Sequence, residues 1–262
     1  MSGGYVHGYQ PRERERLHDQ AGTLVDLLHW DTSYPPGAIV LEAGCGTGAQ
    51  TITLARNSPG ARITSVDISA DSLKEAKARA DAAGITNVEF RQADIFALPF
   101  DCETFDHLFV CFVLEHLSRP SDALLRLREL LKPGGTITVI EGDHGSAYFH
   151  PESAAAQRAI DCLVELQRMS GGNAMIGRQL YPLLLRAGFD AVRVSPRMVY
   201  VDSADLTSST ALPRRRSLPW SKAFATARST QASSTPRAST RESERSTERP
   251  NRTGSSATPS SR

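Results

Sequence analysis

Residues 42–48, Glu-Ala-Gly-Cys-Gly-Thr-Gly, can hold a ligand against bare backbone. Gly44, Gly46 and Gly48 let the chain turn sharply after an apolar run, and the helix that follows offers unpaired N–H groups at its start. A dinucleotide site wants its third glycine one residue later, at the position of Ala49, so the spacing points away from that ligand. About 20 residues on, where such loops place a carboxylate for a ribose diol, the run 62–68 ends in Asp67-Ile68. A third run, 88–95, ends in Asp94-Ile95, and Glu42 gives the first run an acid of its own. A later run ends in Glu141-Gly142-Asp143-His144-Gly145. There the imidazole of His144 or the carboxylate of Asp143 can take a proton from a reacting group, or both can do no more than hydrogen-bond their loop.

These groups need elements that bring them to one level. Ile39 to Leu41 is an apolar, β-branched run too short for a helix, which reads as a buried parallel strand, and it breaks through the glycine turn into a helix over 49–57. Residues 62–68, 88–95, 105–111 and 135–141 read as further strands, with 192–201 as a sixth. Ser69 is a helix N-cap, with Leu73, Ala76, Ala80 and Ala83 as the inner face before Gly84 ends the helix. Leu124, Leu127 and Leu131 give the next helix its inner face, and apolar helices are expected over 151–169 and up to Gly188. Strands alternating with helices imply an α/β, doubly wound, mostly parallel sheet covered on both faces, and such sheets bind ligands at the carboxyl ends of their strands.

The composition divides the chain. Its 262 residues and 40% hydrophobic content support a proper core, and the net charge of +1 conceals two unlike parts. Residues 1–212 carry 19 basic against 26 acidic side chains, whereas residues 213–262 carry 11 against 3. After Leu218 there is no Leu, Ile, Val or Met, so the segment 203–262 is expected to be disordered. A shift of the coding frame near residues 202–212 accounts for its Ser, Thr, Arg and Pro. A basic arm touching nucleic acid is the rival, and the shortage of lysine and aromatics argues against it. The charged start of the chain, without an apolar stretch, argues against a signal peptide, and no run is long enough to span a membrane, so a cytoplasmic protein is expected. Cys45, Cys102, Cys111 and Cys162 lie too far apart for a zinc site or disulfide framework, Cys45 is read as filling the loop, and no metal is expected.

In order and spacing, residues 36–145 resemble the class I S-adenosylmethionine (SAM) dependent methyltransferases, most closely their UbiE-like, or methyltransferase type 11, branch. Residues 42–48 look like that family's first motif, Asp67-Ile68 like its ribose site, Asp94-Ile95 like its adenine-contacting pair, Cys111 to Leu117 like its fourth-strand motif, and residues 130–135 like the turn before strand five. The resemblance implies a Rossmann-like fold and SAM as cofactor. Gly44, Cys45, Gly46 and Gly48 would line the methionine part, Glu42 would help hold its amino group, and Asp67, Ile68, Asp94, Ile95 and Cys111 would complete the site. Residues 1–36 would be a lid segment and helix, with Tyr9 folding over the methyl group; residues 37–202 would be the cofactor domain, with a substrate cover around 150–188. The partner is a small-molecule methyl acceptor, methylated by in-line displacement. The family's sheet closes with a seventh strand inserted between strands five and six, and no stretch after Val201 looks able to supply it, so the closing strand is expected to be missing. A SAM-binding protein without turnover is therefore one alternative, and a nicotinamide-dependent oxidoreductase, disfavoured by Gly48 and Asp94-Ile95, is another. An adenine-specific nucleic-acid methyltransferase is set aside because no Asp/Asn-Pro-Pro-aromatic sequence follows the fourth strand.

Overall fold

A computed structural model describes residue 25, residues 27–199 and, as backbone, residues 223–230. The segment holding Tyr9 and the remainder of residues 203–262 lie outside the described residues. The strands are β1 (Ile39–Ala43), β2 (Arg62–Asp67), β3 (Val88–Gln92), β4 (Phe105–Cys111), β5 (Leu131–Asp143), β6 (Asp190–Met198) and β7 (Ala223–Thr230). The helices are α1 (Thr51–Asn57), α2 (Ala70–Ala82), α3 (Pro120–Leu130), α4 (Ala154–Met169) and α5 (Leu180–Arg186), with 3-10 turns at Leu114–His116 and Ile176–Gln179. Val25 and residues 27–29 are also helical.

One sheet runs in the order β3-β2-β1-β4-β5-β7-β6. β1 pairs in parallel with β2 on one side and β4 on the other, which puts the glycine turn at the middle of the sheet, where the strand order reverses. Its alternating side chains are buried on both faces. Leu41 enters a cluster with Leu108, Val110, Leu127 and Leu184, while Val40 packs with Leu28, Leu54, Ile63 and Phe109 on the opposite face. The expected cap on α2 is present, Ser69 Oγ accepting from Ser72 N–H at 3.2 Å, and Gly84 follows the helix at φ +68°.

The expected absence of a closing strand is overturned. β7 lies between β5 and β6, antiparallel to both, with Asp143 opposite Ala223 and Thr136 opposite Thr230. The expectation weighed side chains, and residues 223–230 have no Leu, Ile, Val or Met. A slot between two strand edges is filled by backbone N–H and C=O groups, which a proline-free run supplies whatever its side chains. β5 is longer than expected: it begins at Leu131, opposite Phe105, and the Lys-Pro-Gly-Gly segment is taken up as an irregularity before His107 pairs with Thr136. β6 contains Pro196, which suits the outermost strand of the sheet.

Candidate functional site

Four strands deliver acids to one edge. At the end of β1, Glu42 is 2% exposed, and its Oε2 accepts from Ser65 Oγ at 2.6 Å and Thr51 Oγ1 at 2.8 Å. Burial pushes its carboxyl up to about 7 against the pull of those two hydroxyls. At the end of β2, Asp67 Oδ2 accepts from Gly46 N–H at 2.8 Å and Oδ1 from Ser69 N–H at 2.9 Å, so one carboxylate ties the glycine turn to the start of α2. Past β3, Asp94 is exposed and Ile95 packs against the core, while Ile68 stands 62% exposed beside them. Gln92 Nε2 donates to the Ile68 carbonyl and Ala93 N–H to that of Asp67, so the two Asp-Ile pairs are held side by side.

The glycines are required for different reasons. A Cβ on Gly44 would lie 2.5 Å from a methyl of Val113, and one on Gly48 2.9 Å from the Ala76 side chain of α2; both residues have positive φ. The turn is thus pressed against β4's exit on one side and α2 on the other, while the space beside Gly46 is open. Cys45 and Cys111 are held by burial as neutral thiols, their pKa values pushed up.

β4 leaves the sheet through Phe112, a non-glycine residue at φ +56°, a strained conformation at the ligand edge. Glu141, completely buried in β5, then caps the 3-10 turn: its Oε1 accepts from the N–H groups of Val113 (2.9 Å) and Leu114 (2.7 Å), and Oε2 from Glu115 (3.3 Å). Burial, and after it the neighbouring Glu115, push the Glu141 carboxyl up to about 8. The two candidate proton acceptors part company here. Asp143 is bound bidentately by Arg178, Nε to Oδ2 at 2.9 Å and Nη2 to Oδ1 at 2.8 Å, and also accepts from Ser146 Oγ. His144, 6% exposed, lies with its Nε2 at 3.3 Å from Glu115 Oε2.

Sequence reasoning missed three parts of this edge: the capping role of Glu141, the place of Glu115 beside His144, and Arg178. An acid inside an apolar strand is a usable signal for Glu141. Arg178 carried none, because it meets Asp143 only through a turn 35 residues away. Among the described residues no group of three His, Cys, Asp or Glu side chains could hold a metal ion.

A family model for a methyltransferase domain matches residues 35–188. An uncharacterised 37.1 kDa protein of transposon TN4556 from Streptomyces fradiae is 33% identical over 162 residues, 62% of this chain and 46% of that protein. The ubiquinone/menaquinone biosynthesis C-methyltransferase UbiE of Cereibacter sphaeroides is 36% identical over 107 residues, 40% of this chain and 43% of that one. The chain therefore spans less than half the length of these curated relatives. A SAM dependent methyltransferase from Aquifex aeolicus superposes with a TM-score of 0.55 at 17% identity, covering 85% of this chain and 98% of that one, which is a likeness of fold.

Proposed function

Because the chain belongs to the methyltransferase-domain family, we propose that it moves a methyl group from SAM to a small-molecule acceptor by in-line displacement. The observation that carries this reading is the sign of the charge at the ligand edge. Asp67 and the exposed Asp94 stand there, Arg178 is paired with Asp143, and Glu42 adds its charge once a ligand ammonium favours its ionised form. Such an edge repels the diphosphate of a dinucleotide and suits a ligand carrying a sulfonium and an ammonium group. The residues fit that ligand. Gly46, with open space beside it, would give it bare backbone and Gly44 the close fit of the turn against Val113, Glu42 would hold the amino group directly or through water, Asp67 would accept from the ribose hydroxyls, and Asp94 from the adenine amino group with Ile68 and Ile95 against the ring.

SAM supplies an electrophilic methyl on sulfur, so the protein forms no covalent intermediate, and alignment and exclusion of water account for most of the acceleration. A proton must be accepted only when the nucleophile arrives protonated. Asp143 is engaged by Arg178, which leaves His144 as the group for that task. The reading as a cofactor-binding protein without turnover rested on a missing closing strand, and β7 removes that basis.

The test is calorimetric titration of the full chain with S-adenosylhomocysteine, followed by incubation with methyl-labelled SAM and a panel of hydroxyl, thiol, amine and enol acceptors. Micromolar binding and label transferred to a small molecule are expected. Binding of NADH in place of S-adenosylhomocysteine would overturn the reading.

A further inference from the structure

Arg178 stands at the ligand edge with only part of its guanidinium in use. Nε and Nη2 donate to the two oxygens of Asp143 at 2.9 and 2.8 Å, and Nη2 also reaches Ser146 Oγ at 3.4 Å. Nη1 donates to none of the described residues. The Arg178 side chain is 48% exposed against 8% for that of Asp143, so a cation open to solvent is anchored on a carboxylate that is not.

Backbone holds the guanidinium in that attitude. β5 pairs with β4 as far as Ile140 and Cys111 and then runs on through Glu141, Gly142 and Asp143, which carries the Asp143 carboxylate past the level at which β4 leaves the sheet. In the loop that follows, Gly145 lies so close that a Cβ there would come 2.8 Å from Arg178 Nη2 and from Met175 Sδ. His144 N–H donates to the Ala174 carbonyl at 2.9 Å, so the two segments that meet at the ion pair are also bound to each other. A carboxylate engaged with Nε and Nη2 together fixes the plane and direction of an arginine, and here it fixes where Nη1 is offered. Tyr148, 78% exposed, lies near enough to act on the Arg178 charge and sets aromatic surface beside it.

We propose that Arg178 is a binding residue of the acceptor site, its Nη1 donating to a carboxylate of the methyl acceptor. The proposal rests on the methyltransferase reading and adds to it a substrate class: a small acid with one negative charge on an apolar or aromatic body. The charge of the edge is divided to suit. Asp67 and Asp94 belong to the β2 and β3 side of β1, where ribose and adenine would sit, whereas Arg178 belongs to the β5 side, where His144 follows Asp143. Asp143 already shares the guanidinium, so a singly charged carboxylate gains from Nη1 at the cost of one repulsion, while a dianionic phosphate would meet twice that repulsion. A neutral acceptor would leave Nη1 without a charged partner, and a cationic one would face the guanidinium.

The test uses the full chain saturated with S-adenosylhomocysteine, as wild type, Arg178→Lys and Tyr148→Glu. Each is titrated calorimetrically with benzoate and with benzamide, which has the same body without the charge. Lysine keeps a cation for Asp143 but has no second nitrogen to offer, and Tyr148→Glu, at an exposed position, sets a negative charge beside the guanidinium. The wild type is expected to bind benzoate roughly tenfold more tightly than benzamide, and both variants to lose that preference while keeping S-adenosylhomocysteine. Towards the acceptor returned by the labelled-methyl screen, Arg178→Lys should raise KM roughly tenfold with kcat kept. Benzoate bound no better than benzamide by the wild type, a preference that survives in either variant, or label that goes only to uncharged acceptors overturns the proposal. The wild type and Tyr148→Glu decide by themselves should Arg178→Lys not fold. Failure of the wild type to bind S-adenosylhomocysteine strikes the methyltransferase reading, whereas S-adenosylhomocysteine bound without a preference for benzoate strikes this proposal alone.

Discussion

At the residue scale, one carboxylate serves two purposes at the end of β2. Asp67 already accepts from Gly46 N–H and Ser69 N–H, so its oxygens are oriented in advance for the ribose of the proposed cofactor. Asp67→Ala should weaken S-adenosylhomocysteine binding by about 1.5–3 kcal/mol, read by calorimetry; unchanged affinity would remove Asp67 from the site. Glu42 makes the site sensitive to pH. Its carboxyl is raised from 4.5 to about 7 in the fold, so the stability that comes from keeping it neutral is fully present below pH 4.5 and is lost as pH rises through 7. Glu141, raised to about 8, extends the same trend upward. Urea midpoints of the ligand-free protein should therefore fall between pH 5 and pH 8, and Glu42→Gln should flatten the lower part of that fall. A ligand ammonium beside Glu42 favours the ionised carboxyl, so affinity for S-adenosylhomocysteine should rise over the window in which stability drops. The glycine turn, Asp67 and Asp94-Ile95 were legible in the sequence because their placement is local: an acid or a glycine at a strand's end needs only the strand. The partners of Glu115 and Asp143 were not, because they depend on which loops the tertiary fold brings together, Asn173 and Arg178 above all.

At the scale of elements, the site is a set of strand exits held in register by what packs behind them. Gly48 lets the turn lie on α2; Gly48→Ala would set a methyl 2.9 Å from Ala76 at φ +78°, and a loss of about 1–3 kcal/mol is expected in chemical denaturation, together with weaker cofactor binding. The long strands of the sheet's centre were readable from their apolar runs. β7 was not, since it is recognised by two neighbours and not by its own composition, and the lower limit of β5 was set one bulge too late for a similar reason: Leu131 joins the sheet only because Phe105 is there to pair with it. Shortening the chain to residues 1–202 removes the partner of both β5 and β6. Those amides of residues 136–143 that face β7 and not β4 should then lose protection in hydrogen exchange, and equal protection in the two chains would show that β5 needs no strand on that side.

Over the whole molecule, the two faces of the sheet carry separate cores, and Arg197 joins the far strand to the chain's early helical residues. On β6, it is 3% exposed, donates to the carbonyls of Leu27 and Leu28, pairs with Asp31 at 2.7 Å and lies over the Trp30 ring. Those carbonyls lie where the helix ends, so a guanidinium there both satisfies them and meets the negative end of the helix. Arg197→Ala should cost about 2–3 kcal/mol of stability, measured by denaturation, by uncovering acceptors that are no longer reached by water. The division of the chain into an acidic domain and a basic remainder was visible in its composition, while the tie between residues 27–31 and 197, made across the length of the domain, was not. Among the described residues no helix is long and apolar enough to cross a membrane.

The insertion of β7 between β5 and β6 also sets an order of assembly. A ribosome makes β6 before β7, yet β6 has no strand of its own to join until β7 is in place. During synthesis the growing protein therefore presents the naked flank of β5, the strand that carries Glu141 and Asp143, for as long as residues 223–230 are still to come. That interval is when a chaperone has an edge to grip, and when two unfinished copies can pair by mistake.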